Sequence, residues 1–253
     1  MDPSILALIG LLSAFVGVLI GGIGIGGVLL VPMLAFVFGM DVHSAIAVAM
    51  FSYIFSGIVG ATIYARQRSI NWGMALWLFA GATPSAFAGA LAATAIPPQG
   101  LEFIIAMFIV FAGGNALATH GDHVDRSTAL SPRSLILIGA LTGFGSALSG
   151  TGGPLVLVPI LVWLKVPILT AVGLSQAVQL PIATLATAGN FISGSVDITT
   201  GGVVAAALMV GAAVGARVAH AVSRATMRTV VAWVLVAVGV FIIIRVARVW
   251  LGP

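Results

Sequence analysis

Six stretches of this chain are long and apolar enough to be spanning helices: His43 to Ala65, Trp72 to Thr94, Leu101 to Thr119, Pro167 to Asn190, Gly201 to Ala221 and Arg228 to Ile244. Crossing a hydrocarbon core of roughly 30 Å takes about 20 residues of helix. Inside lipid every backbone polar group needs a partner within the protein, which restricts such segments to helices or closed barrels. Charged residues make up 6% of the chain and its mean hydropathy is +1.23, whereas a soluble domain carries about 25% charged residues. The sequence therefore predicts an all-α polytopic membrane protein. Its formal net charge of +4 comes from a few basic loop residues and implies no nucleic-acid surface. The absence of cysteine excludes disulfides and thiolate metal sites. Met1-Asp2-Pro3 is not a basic n-region, and the apolar run after it ends in glycines. The N-terminal run is thus read as retained rather than as a signal peptide.

Four further apolar segments look short or marginal, and they come in adjacent pairs: Ser4 to Ile20 with Val28 to Phe38, and Ser134 to Leu148 with Leu155 to Trp163. Each pair is joined by a glycine-rich break. The first reads Gly21-Gly22-Ile23-Gly24-Ile25-Gly26-Gly27, followed by Val31-Pro32; the second reads Ser149-Gly150-Thr151-Gly152-Gly153-Pro154, followed by Val158-Pro159. Glycine costs roughly 1 kcal/mol per helical position against alanine, so the helix should be interrupted at both places. Superimposing Pro32 on Pro159 pairs Gly26 with Gly153 and Leu34 with Leu161. This recurrence predicts a duplication, with a first repeat over 1–119, a linker over 120–133 and a second repeat over 134–253. A three-residue indel between the halves would then set Gln176 opposite Ser52 and Asn190 opposite Arg66.

Lys and Arg in short loops orient the spans. Arg66 and Arg68 mark the 66–71 loop as cytoplasmic, and the uncharged loop from Ile96 to Gly100 falls outside. In the second half the pattern is swapped: the loop from Ser193 to Thr200 carries only Asp197, and the next carries Arg224 and Arg228. Opposite placement of equivalent loops predicts an inverted-topology repeat. Each half then has three full spans plus a broken, re-entrant hairpin, with a cytoplasmic linker and both termini outside.

Irregular backbone at membrane depth is tolerated where protein buries it or a polar cavity wets it. The first N–H groups of each short helix lack intrahelical partners and carry the positive end of the helix dipole. Two such starts converging near the midplane would hold an anion without a buried charge. The candidate binding residues are Gly24, Gly26, Gly27, Ser149, Thr151, Gly152 and Gly153, joined by Gln176 and Gln179 on one face of their helix and by Ser52. Close helix packing by small residues is the competing explanation for the glycines, and interhelical hydrogen bonding for the glutamines. Gly22-x-Gly24-x-x-Gly27 also fits a dinucleotide fingerprint, but no strand–helix–strand alternation surrounds it. Tyr64, Trp72 and Trp77 fit an interfacial belt, and Arg217 a snorkelling position. No carboxylate falls in mid-span, no metal or cofactor is called for, and no histidine lies beside Ser149 to activate it as a nucleophile.

The two breaks resemble those of the TauE/SafE family of sulfite and organosulfonate exporters. So do Ala47-Val48 through Ser52, Tyr64 to Asn71, Ala171-Val172-Gly173, Ala186-Thr187, Gly194 to Asp197 and Gly215-Ala216-Arg217. The resemblance covers nearly the whole chain. It implies a multi-pass permease of the bacterial inner membrane for small sulfur-containing anions such as sulfite, sulfoacetate, thiosulfate or related sulfonates; the inverted repeat with a midplane site predicts that such a carrier works by alternating access. The partners implied are that small anionic solute and the lipid bilayer, with homo-oligomer formation left open. A channel using the same breaks, a non-transporting membrane partner and an intramembrane enzyme are the rival classes.

Overall fold

Apolar runs closed off by good capping residues become helices here. The computed structural model describes residues 3–24, 26–118, 130–192, 197–218 and 233. The long helices among them are α1 (Pro3–Ile23), α3 (Val42–Arg66), α4 (Trp72–Ala95), α5 (Pro98–Ala118), α6 (Pro132–Ser149), α8 (Ile168–Ile192) and α9 (Ile198–Val218). Among the described residues five apolar helices are long enough to cross a membrane: Ser4–Gly22, Val42–Arg66, Trp72–Ala95, Leu169–Ile192 and Ile198–Val218. The expected span from Arg228 to Ile244 lies, apart from Trp233, outside the described residues. Short polar side chains start several helices by accepting orphan N–H groups. Asp41 takes that of Ser44, Asn71 that of Met74, Ser131 that of Ser134, and Asp197 those of Thr199 and Thr200.

The glycine breaks interrupt the chain as expected, and short return arms follow them. The first arm, Gly26–Val37, is distorted: a 3-10 turn (Gly26–Leu29), a single α turn α2 (Leu30–Pro32) and a π turn (Met33–Val37). Pro32 removes a backbone donor inside it, which favours this irregular winding. The second arm, α7 (Pro154–Trp163), is a regular helix of 10 residues that opens on proline. The segments before the breaks are longer than expected from sequence. α1 has 21 residues and α6 has 18, so at 1.5 Å per residue they reach about 27 to 31 Å.

Among the described residues α1, α3 and α4 can be laid on α6, α8 and α9, in a register that differs from the one read off the prolines. Gln179 and Tyr53 stand 126 residues apart, and that shift carries the start of α3 onto α8 and of α4 onto α9. It also pairs the left-handed glycines Gly24 and Gly150, and pairs Gly39 (φ 68°) with Lys165 (φ 62°). Gly26 is therefore matched to Gly152, Gln176 to Met50 and Asn190 to Tyr64, correcting the pairings with Gly153, Ser52 and Arg66. Tyr64 itself is buried and donates to the Gly21 carbonyl, so it belongs to the interior and not to an interfacial belt.

Contacts between the halves come in reciprocal pairs. α1 packs along α9, and α6 packs along α4. Backbones meet closely in both seams: a methyl on Gly17 would lie 2.7 Å from the Leu208 carbonyl oxygen, and one on Gly143 2.3 Å from that of Ala82. Small residues allow this approach, and dispersion over such seams supplies cohesion that lipid-facing apolar surface cannot. α3 and α8 cross between the seams and form the centre of the described structure.

Candidate functional site

Tyr53 and Gln179 sit near the midpoints of α3 and α8, and they touch. The Gln179 amide nitrogen donates to the Tyr53 carbonyl and to the Ser56 hydroxyl, both at 3.0 Å. The Tyr53 hydroxyl donates to the Gly27 carbonyl at 2.5 Å, and its ring lies against Gly152, where a methyl would be 2.8 Å from Cδ2. A methyl on Gly27 would be 2.6 Å from the Thr151 carbonyl oxygen, and one on Gly24 3.6 Å from Pro154 Cβ. The two breaks therefore meet inside the protein, at the mid-height of two candidate spans. α1 runs on past that level, since Gly21 accepts from Tyr64 near the far end of α3. Glycine is required here for backbone reasons as well: φ is 81° at Gly24, 71° at Gly150, 79° at Gly152 and 108° at Gly153.

The start of α7 has the character of an anion site. Its first backbone bonds run from Val156 and Leu157 to the Gly153 carbonyl, and Thr151 N–H donates to Ser146. The N–H groups of Gly152, Gly153 and Leu155 have no acceptor among the described residues, and all three residues are buried. A buried N–H left without a partner is rare and costs about 1–3 kcal/mol. Three together at the positive end of a helix dipole attract a negative group. No charged side chain is buried among the described residues, and no cluster there could hold a metal.

The expected site residues separate into groups. Gly24, Gly27, Thr151, Gly152, Gly153 and Gln179 come together around the junction, while Gly26 turns toward α1, where a methyl would strike Leu19 and Val16. Ser149 donates to Gly145 and lies 3.1 Å from the Thr151 hydroxyl. Gln176 donates to the Ile20 carbonyl at the end of α1, and its Oε1 lies buried without a donor among the described residues. Ser52 donates to Val48 and Gly201 and so ties α3 to α9.

Sequence reasoning passed over Tyr53, Thr142 and Ser146. The chain has two tyrosines, and both clasp carbonyls of the first break. A phenol in the middle of an apolar span needs an acceptor, and that was the available signal. Elsewhere, a cavity of about 310 Å³ between α5 and α7 is lined by Ile104, Met107, Phe108, Val156 and Ile160. Wholly apolar, it offers an anion nothing.

The sequence profile of the family described as sulfite exporter TauE/SafE matches residues 6–242. A probable membrane transporter protein of Methanocaldococcus jannaschii is 26% identical over 261 aligned positions, covering 95% of each chain. A probable membrane transporter protein of Bacillus subtilis is 24% identical over 231 positions, covering 88% of this chain and 94% of its own. No solved structure matches the chain.

Proposed function

Because this membrane transporter belongs to the sulfite exporter TauE/SafE family, we propose that it is a secondary carrier for small sulfur-containing anions such as sulfite and organosulfonates. The anion binds where the two breaks meet, held by the N–H groups of Gly152, Gly153 and Leu155 and by the Thr151 hydroxyl, beside which Ser149 stays bonded to Gly145. The single observation that carries this is that trio of buried donors without acceptors at the start of α7. Gln179 and Gln176 fix the walls of the site through their bonds to α3 and α1.

The same reading takes the halves as an inverted-topology repeat in the bacterial inner membrane. Support comes from the reciprocal α1–α9 and α6–α4 seams and from the bond between Gln179 and its own counterpart Tyr53. A pair of equivalent residues in contact is what a pseudo-two-fold axis between two repeats requires. Alternating access then moves parts of each repeat about the fixed junction. Reconstitution in liposomes tests the assignment: preloaded unlabelled sulfite or methanesulfonate should drive saturable counterflow of the labelled anion. Flux that fails to saturate and shows no counterflow would replace the carrier with a channel.

A further inference from the structure

Resting on that reading of the α7 start, we propose that the hydroxyls of Thr142 and Ser146 on α6 complete its donor set, and that the site so built takes a singly charged oxyanion headgroup in preference to a doubly charged one. Serine and threonine inside apolar helices ordinarily donate back to a carbonyl one turn earlier. This protein follows that habit at Ser52, Thr62, Ser85, Ser149 and Thr184. Thr142 and Ser146 break it, as do Ser13 on α1 and Thr187 on α8; of the four, only Thr142 and Ser146 stand on α6, the helix that leads into the second break. Both are fully buried, and neither Oγ has a partner among the described residues.

Their position explains what they are for. They stand one turn apart on one face of α6. Thr142 Cγ2 is 4.0 Å from where a methyl on Gly153 would sit, and the Ser146 carbonyl receives the Thr151 N–H at 3.1 Å. The two residues that carry the orphan hydroxyls thus pack against the same short stretch, 151–155, that presents the orphan peptide N–H groups. Two independent kinds of unsatisfied donor beside one helix start are accounted for by one ligand with several acceptor oxygens. Each hydroxyl can also accept a hydrogen bond from the O–H of a protonated oxyanion, which a peptide N–H cannot.

The charge preference follows from the absence of any buried cationic side chain among the described residues. The cost of withdrawing an ion from water grows as the square of its charge, whereas neutral donors return stabilisation that grows only about linearly. A donor set of amides and hydroxyls therefore balances one negative charge far better than two.

The experiment uses the full chain in detergent, with methanesulfonate as the singly charged probe and sulfate as the doubly charged one. Wild type should bind methanesulfonate at least about tenfold more tightly than sulfate. Thr142→Val and Ser146→Ala should each weaken methanesulfonate by about ten- to a hundredfold, the worth of a hydrogen bond to a charged group. Their ligand-free melting temperatures should equal or exceed that of wild type, because each removes a buried hydroxyl that had no partner. Ser85→Ala, which removes a hydroxyl already bonded to its own helix, should leave affinity unchanged. Wild-type affinity in both α6 variants, or a lowered melting temperature with affinity intact, would make the hydroxyls structural and overturn the proposal while leaving the site standing. Tighter binding of sulfate would overturn the charge preference. Binding of neither probe by wild type would remove the anion site itself.

Discussion

Replacing Tyr53 by Phe separates what holds the two breaks together from what holds the ligand. The hydroxyl donates to the Gly27 carbonyl at 2.5 Å from a side chain that is 1% exposed. Deleting one oxygen leaves the ring in place against Gly152 and opens no methyl-sized cavity, so the packing contribution is close to zero. What remains is a lost hydrogen bond and a buried carbonyl deprived of its donor, together about 1–3 kcal/mol. For a chain of this length that corresponds to a fall of about 5 °C in melting temperature. Affinity for methanesulfonate should change by less than about threefold, the range of a substitution that touches no ligand, because this hydroxyl is already engaged by the protein. Thermal unfolding in detergent and binding titration on the same preparation read both quantities. Unchanged stability with a tenfold loss of affinity would refute the reasoning and assign the hydroxyl to the ligand.

Gly89→Ala and Gly215→Ala occupy matching places in the two seams, with methyls 2.5 Å from the Phe144 carbonyl oxygen and 2.1 Å from that of Val18. Each should cost about 1–3 kcal/mol of stability by forcing the backbones apart, and unfolding titrations that find only one of them costly would break the reciprocity. Gly39→Ala meets nothing within 4 Å but sits at φ 68°, so it should cost about 1 kcal/mol through backbone strain alone. At the matching position, Lys165→Gly should instead be neutral to stabilising in the same assay. The Asp197 carboxyl, capping α9, is held below the usual carboxylate range chiefly by the Thr200 hydroxyl at 2.6 Å. Its stabilisation is therefore present above the ordinary carboxylate pKa and lost as pH falls through the lowered value. Melting curves in acid should show that loss in wild type and not in Asp197→Asn, which keeps the cap without the titration.

The long helices were readable because their signal is local: about 20 apolar residues suffice, and α3, α4 and α8 begin within two residues of the expected positions. The breaks were readable for the same reason, since a run of glycines interrupts a helix whatever surrounds it. Register between the halves was not. Superimposing Pro32 on Pro159 matches residue identities, but Pro32 lies in a 3-10 and π distorted arm and Pro159 in a regular helix. The turn glycines Gly24 and Gly150 mark the structural equivalence instead.

From its residues alone the chain was committed to membrane helices, to two interruptions and to an interior without buried charge among the described residues, because hydropathy and glycine content act within a single segment. Which donors are left without a partner inside the protein was decided only by tertiary structure. Gln179 and Tyr53 are as polar on paper as Thr142 and Ser146, yet the first pair meets carbonyls from neighbouring helices and the second pair meets none. Whether a hydrogen-bonding group is satisfied depends on what another part of the chain places opposite it.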